Sequence, residues 1–388
     1  MNFLIRILIA GGGYAGLQTA LLLDRLLKGI KSNIVLIDKR AYHTLLPSLP
    51  EIISKRGFSI INYKDILRNR NIEFTQADIR DINLDKKTIT IAKNLQISSV
   101  LDYDFLVLSL GSRPFVPSIP GMKEYAFLFN SIEDAQKIAI ALTNLERGKT
   151  VVVGGGGATG VEIAGEIATV LRGGYFKSNR PKIVLVSSNL LVGFPNDAVK
   201  WAKIYLDSLN VQLLVGNAYS VVEIRPDSIR FIDGSEIKSS LFIWTGGVIS
   251  SPLLKRIGLK TGYKERVIVN NYLQPEGKND VFVIGDSALI LDKHGNPLPT
   301  TAYFAKEHGK VAAYNIYAKI IGKPMREYKP GDSGSSYAIS IGSDFGISRI
   351  SGLDLFGYSA SKLKKMIKMK YLKEIGGSSL AGKEFSRF

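Results

Sequence analysis

Two glycine clusters of equal spacing carry the most legible chemistry in this sequence. Gly11, Gly13 and Gly16 form one G-x-G-x-x-G, and Gly155, Gly157 and Gly160 form another. At that spacing the first glycine permits a tight turn and the second lets backbone approach a pyrophosphate. The third lets a helix pack closely on a strand. A helix that starts there aims free N–H groups and the positive end of its dipole at the phosphates. Asp38 follows Gly16 by 22 residues, where a carboxylate can meet a ribose diol. The matching position of the second cluster is Ser187, within Ser187-Ser188-Asn189. Losing a charged acceptor there costs about 1.5–3 kcal/mol, roughly ten- to a hundredfold in affinity. No arginine takes its place, so the position does not call for a 2′-phosphate either.

The elements around each cluster are those that such a turn requires. An apolar run, Ile5 to Ala10, leads into the first, a helical stretch from Leu17 to about Lys28 follows, and a second run, Ile34 to Ile37, ends at Asp38. Thr150 to Val153, Val161 to Leu171 and Ile183 to Val186 repeat the order around the second. Short runs buried on both faces, alternating with helices, predict an α/β fold with two Rossmann-like dinucleotide-binding domains. Two such units in one chain point to two dinucleotides held face to face, FAD in the first and NAD(P)H in the second.

Composition narrows the chemistry further. The chain has 388 residues and no cysteine, which excludes disulfides, thiolate metal sites, iron–sulfur clusters and cysteine nucleophiles. Its histidines, His43, His294 and His308, are too scattered for a metal motif, so no metal is expected. Lys+Arg number 51 against 34 Asp+Glu, a net charge of +17. No helix-turn-helix, zinc-finger or RNP-like pattern accompanies that charge, which argues against nucleic acid as the partner. No apolar stretch reaches the 18 or so residues of a spanning helix. MNFLIRILIA reads as a buried strand and not as a signal peptide, so an intracellular protein with peripheral membrane contact is expected.

In sum these segments resemble type II NADH:quinone oxidoreductases, single-subunit flavoproteins of the two-dinucleotide-binding-domain superfamily. The likeness runs through GGGYAGLQTA, Tyr42-His43, LVLSLGSRP, GGGGATGVEIAGE, WTGGV, VFVIGDSA, PLPTTAYFAKEHG and YLKEIGG, in that order. The resemblance implies FAD and NADH as cofactors, with NADPH left open as donor, and a membrane quinone as acceptor. It also implies that Tyr14, Ala15 and Lys39 join Gly11, Gly13, Gly16 and Asp38 around FAD. Ile79 would meet the adenine, and Gly111 would lie nearby. Asp286 would bond the ribityl or phosphate portion, and Ala302 and Tyr303 would lie at the flavin ring. On the NADH side it implies Gly155, Gly157, Gly160, Ser187 and Gly246, with Glu162 beside the nicotinamide. Glu162 also reads simply as a first-turn acid complementing its helix dipole. Many bacterial members have AQxxxQ where this chain has Ala302-Tyr303 and Glu307, an archaeal-like variant. Tyr303 and Glu307 would then face the quinone, Glu307 either relaying a proton or pairing with Lys306 or Lys310.

The last segment, SKLKKMIKMKYLK, places Leu363, Met366, Ile367 and Tyr371 at helical spacing among lysines. Such a basic amphipathic helix suits an anionic membrane surface as well as docking on the protein itself. The resemblance favours the membrane, on its cytoplasmic face, and Lys364 as the lysine that approaches the flavin. The expected domains are 1–114 with 270–325 for FAD, 115–269 for NAD(P)H, and 326–388 as a C-terminal membrane-associating segment. Homodimerisation is left open. Sulfide:quinone oxidoreductase shares the architecture but passes sulfur through cysteines. A flavoprotein reductase with a protein acceptor, or a flavin-binding protein that has lost NADH oxidation, are the remaining alternatives.

Overall fold

The computed structural model describes residues 4–56, 60–93, 98–172, 180–331, 336–350 and 352–385. Two five-stranded parallel sheets organise the chain. In the first, Val281–Val283, Phe105–Leu108, Ile5–Ala10, Ser32–Asp38 and Ile72–Gln76 lie side by side. In the second the order is Ala126–Leu128, Leu241–Trp244, Thr150–Gly154, Lys182–Ser187 and Val211–Val215. The glycine-bearing strand is central in both, and its apolar run is buried on both faces, as a parallel sheet demands. Asp38 and Ser187 stand at equivalent places because the registers match. Ala10 lies beside Ile37 and Gly154 beside Val186, and Gly11 and Gly155 each donate an amide bond to that neighbour's carbonyl.

The helix after the first glycine cluster, Tyr14–Leu26, is buried throughout its first half, Tyr14 to Leu21. It lies between the first sheet and the long helix Ala302–Ile320, which Thr301 caps through the Phe304 amide. Small residues allow the two helices to approach closely: a side chain at Gly309 would meet the Ala15 carbonyl at 2.5 Å. The Thr19 hydroxyl bonds both the Ala15 and Gly309 carbonyls.

The units join through an antiparallel ribbon, Ser112–Pro114 against Val248–Ser250. The chain therefore rejoins the first unit near residue 250, about twenty residues before the expected boundary at 269. Leu253, Leu254, Leu259 and Val267 all belong to the first core. The sequence hid this return because the segment consists of short apolar pieces without long periodicity.

The C-terminal residues straddle both units. The three-stranded antiparallel sheet Tyr337–Ile341, Phe345–Ile350 and Leu353–Gly357 buries Ile339, Ile341 and Ile347 in the second core. The helix that follows, Tyr358–Phe385, is kinked at Gly377 and buries Tyr371, Leu372 and Ile375 in the first. No described helix is long and apolar enough to cross a membrane.

Candidate dinucleotide and electron-transfer site

The two glycine turns repeat one geometry. Gly11 and Gly155 hold φ of 103° and 118°, open only to glycine without strain. A Cβ at Gly16 would sit 1.9 Å from the Gly11 carbonyl oxygen, and one at Gly160 1.9 Å from that of Gly155. At Gly13 and Gly157, by contrast, no atom beyond the adjoining residues lies within 4 Å of where a Cβ would be. The middle glycine of each turn thus leaves its surroundings to a ligand, while the outer two are demanded by the protein.

The acids and hydroxyls after the second strands do different work. Asp38 accepts from the Gly12 amide (2.7 Å) and the Arg40 amide (2.9 Å). Burial pushes its pKa up, against those two bonds and the Arg40 and Lys39 charges. Ser187 reproduces only the first of these bonds: its Oγ accepts from the Gly156 amide (2.9 Å) and donates its proton to the Asn189 carbonyl (2.7 Å). The serine keeps the second loop in shape, but its one proton is already used and it offers no charge to a ribose diol.

Around the first turn the fold collects most of the expected FAD residues. The Gly285–Ser287 turn brings Asp286 to Ser112, whose hydroxyl donates to it at 2.7 Å. Burial raises the Asp286 pKa, opposed by that bond and by buried Arg266. The Ala15 methyl lies 3.0 Å from where a Cβ at Gly285 would be, and the Ser287 hydroxyl donates to the Gly111 carbonyl at 3.4 Å. Ala302 opens the helix beside them, with Tyr303 half exposed next to it. Ile79 lies two residues past Ala77, whose amide bonds the Asp38 carbonyl, and the Lys39 carbonyl accepts from Gln76. The residues fit FAD: two pinned glycine amides, a ligand-facing glycine, two half-buried carboxylates and two helix N-termini converge here.

In the second unit, Glu162 lies in the glycine-led helix, Ala158–Arg172, and is buried. Lys364, from the C-terminal helix, donates to Glu162 Oε1 (2.6 Å) and to the Ser340 hydroxyl (2.8 Å). The Ser340 amide bonds the same carboxylate oxygen at 3.0 Å. Burial raises the Glu162 pKa, with Lys364 as the main opposing influence. Gly246 presses on the Trp244 ring, so a side chain there would displace the indole, whose Nε1 donates to the Phe115 carbonyl.

Glu307 stands apart from this cluster. It is partly exposed and pairs with Lys310 at 2.7 Å, the pairing alternative, whereas Lys306 pairs with Glu374 of the C-terminal helix. Sequence reasoning also missed Glu166, one helical turn beyond Glu162. Its buried carboxylate binds Arg56 and the Ser54 hydroxyl, fastening the segment after Pro50–Ile53 to the second unit. The i, i+4 repeat of glutamates on that helix was the available signal.

His43 and His308 are buried and uncharged. Burial holds His43 down to about 4; burial and then the Arg266 charge hold His308 down to about 3. His308 Nδ1 accepts from the Gly285 amide at 3.2 Å and so supports the Asp286 turn. An unfolded chain takes up protons at histidine below pH ~6.5 that these sites refuse, so stability falls as pH drops from there toward 4. Between pH 7.5 and 5 the expected loss is roughly 2 kcal/mol per histidine. His308→Gln should flatten the plot of urea midpoint against pH across that range; an unchanged slope would exclude His308 as its source.

Comparison with known proteins agrees with this geometry. Residues 5–309 match the family described as pyridine nucleotide-disulphide oxidoreductase. A type II NADH:quinone oxidoreductase of Staphylococcus epidermidis is 30% identical, over 98% of each chain. The chain belongs to the type II NADH:quinone oxidoreductase family. A Staphylococcus saprophyticus member of this family is 28% identical, again over 98% of both chains. Among solved structures, NDH2 from Plasmodium falciparum in complex with NADH superposes with a TM-score of 0.84 at 20% identity, covering 99% of this chain and 98% of the other. The sulfide:quinone oxidoreductase of Aquifex aeolicus superposes at 0.80, also at 20% identity, over 96% and 91%. These two likenesses concern the fold. As this family member has no cysteine, the disulphide in the wider family's description has no counterpart here.

Proposed function

We propose that this protein oxidises NADH and passes the two electrons through FAD to a quinone, working at a membrane surface. The observation that carries the reading is the pair of equivalent glycine turns, each with a ligand-facing middle glycine, in a chain related end to end to type II NADH:quinone oxidoreductases. FAD, when bound, supplies the two-electron carrier that separates the NADH and quinone half-reactions. Gly11, Gly13, Gly16, Asp38 and Asp286 hold it, with Tyr14, Ala15, Lys39, Ile79, Gly111 and Ala302 around them. Gly155, Gly157, Gly160, Ser187 and Gly246 hold NADH. Glu162 and Lys364 close the nicotinamide side as a paired, water-poor wall. Tyr303 and Glu307 line the approach of the quinone. With Ser187 already engaged and no arginine in the 187–193 turn, NADH is favoured over NADPH.

The membrane reading needs one revision to the expected helix stripe. Tyr371 lies about 140° around the helix from Met366 and is only 6% exposed, whereas Met366 is 66% exposed and Ile367 42%. Lys364 and Lys368 also point inward, Lys368 to Glu51. What faces outward is Met366 and Ile367, with Leu353 and Tyr358 nearby in the chain, among exposed Lys362, Lys365, Lys370 and Lys373. Apolar side chains ringed by lysines suit an anionic bilayer surface at the cytoplasmic face. Met366→Asp with Ile367→Asp should cut co-sedimentation with anionic vesicles at least tenfold while NADH oxidation by a water-soluble quinone is kept. Undiminished vesicle binding would exclude this patch.

The central test is anaerobic. NADH should abolish the flavin absorbance near 450 nm, and quinone added afterwards should restore it. Persistent absorbance with NADH and NADPH alike would overturn the dehydrogenase reading. Loss of absorbance without recovery on quinone would point to a protein acceptor instead.

A further inference from the structure

One buried polar chain runs from the C-terminal helix into the first glycine turn. The Tyr371 hydroxyl lies 2.9 Å from His43 Nε2, and His43 Nδ1 lies 3.1 Å from the Gly12 carbonyl oxygen. The Tyr63 hydroxyl donates to the same carbonyl at 2.7 Å, and the Gly12 amide donates to Asp38. Both polar groups of Gly12, the residue before the ligand-facing Gly13, are thereby fixed. A carbonyl offers only lone pairs, so Nδ1 must carry the imidazole proton and Nε2 must accept from the Tyr371 hydroxyl. The Tyr14 ring completes the enclosure, stacked on Tyr371 with centroids 4.7 Å apart and edge-on to His43 at 4.9 Å. Charged groups beside this chain include Lys306, whose Nζ lies 4.9 Å from the Tyr371 ring centre, its partner Glu374, Asp38 beyond Gly12, and Arg40, whose charge reaches Tyr63.

Tyr371 and His43 are 328 residues apart, so this contact exists only while the C-terminal helix is seated. We propose that His43 is a positioning residue for the flavin phosphate turn, and that Tyr371 makes the grip of that turn on FAD depend on the seating of the C-terminal helix. With the hydroxyl in place, the imidazole is held as the tautomer that donates to Gly12. Without it, the Gly12 carbonyl alone selects that tautomer and Nε2 loses its donor, so the preference is weakened toward the form that leaves the carbonyl with Tyr63 alone. The face of the helix opposite Tyr371 carries Met366, so the element that meets the membrane also secures the cofactor. This inference rests on the proposed binding of FAD at the first glycine turn.

The test is a double-mutant cycle read by the rate of FAD release from the intact protein, followed by the rise in flavin fluorescence after dilution. Tyr371→Phe removes one oxygen from a packed site and is expected to speed release about five- to tenfold, the worth of one buried hydrogen bond. His43→Asn keeps a donor where Nδ1 stood but has no tautomers. It should hold FAD nearly as well as the native chain and be insensitive to a further Tyr371→Phe. Equal acceleration in both backgrounds would mean that Tyr371 acts by packing alone, and no acceleration in either would mean that the turn is held without it; each overturns the proposal. If His43→Asn is insoluble, the nitrogen-15 spectrum of His43 decides instead. Protonated Nδ1 in the native chain and a tautomer mixture in Tyr371→Phe support the relay, and protonated Nε2 in the native chain refutes it. A native protein without FAD would overturn the flavin reading, whereas the spectrum would still judge the hydrogen-bond chain.

Discussion

Gly157→Val is expected to give a folded protein that keeps its flavin but that NADH no longer reduces. Gly157 is not among the residues with positive φ, and a Cβ there meets no atom beyond the adjoining residues within 4 Å. Valine therefore costs the fold little; its branches project into the region where the proposed binding of NADH brings its pyrophosphate to the backbone. Removing that approach displaces the nucleotide outright, so kcat/KM for NADH should fall at least a hundredfold, about 3 kcal/mol in transition-state terms. The flavin content and the melting temperature should stay close to native. Gly160→Ala is the contrasting variant. Its methyl would stand 1.9 Å from the Gly155 carbonyl and 2.8 Å from the Thr245 hydroxyl, so the second unit itself should be destabilised. Normal reduction of Gly157→Val by NADH would remove the second turn from the mechanism. The equivalent change at Gly13 should yield protein lacking flavin.

The second large effect concerns the buried pair. Lys364→Met leaves Glu162 enclosed with the Ser340 amide and hydroxyl as its polar partners among the described residues. Removing one member of such a pair costs about 3–5 kcal/mol, because the remaining charge cannot be hydrated. Glu162 has one escape, which is to take up a proton; from an ordinary glutamate at pH 7 that costs roughly 4 kcal/mol and caps the loss. The sign with pH follows. A carboxyl whose pKa is raised in the fold binds more protons folded than unfolded, so the variant's deficit is largest at high pH and fades as pH falls toward the unfolded value near ~4.3. Urea midpoints of Lys364→Met and the native protein should therefore diverge most at pH 8. Adding Glu162→Gln should recover most of the loss by replacing the stranded charge with a neutral amide. A deficit independent of pH, or no recovery in the double variant, would show that packing and not charge dominates.

This pair also explains why the C-terminal residues were hard to read in advance. Helical spacing groups Leu363, Met366, Ile367 and Tyr371 as one apolar side, and the lysines as the other. In the fold the inward side is mixed: Tyr371, Leu372 and Ile375 enter the first core, while Lys364 and Lys368 enter with their partners. A lysine is compatible with burial only when a carboxylate waits for it, and those carboxylates, Glu162 and Glu51, lie hundreds of residues earlier. Glu307 is the opposite case. Its neighbour Lys310 is on the same helix, so the pairing alternative could be written from sequence spacing alone.

The sequence by itself determined the two dinucleotide units, because their signals are local. A strand, a glycine turn, a helix and a second strand fit within about forty residues, and each glycine has a steric reason visible in its spacing. It also determined that cysteine chemistry is absent. Tertiary structure alone decided which groups meet across the chain: Tyr371 with His43, Lys364 with Glu162, Arg56 with Glu166, Asp286 with Ser112. It decided as well that the C-terminal helix is both surface and core. Periodicity states which residues share a side of a helix. What that side meets depends on the packing of the remaining elements, which local spacing does not encode.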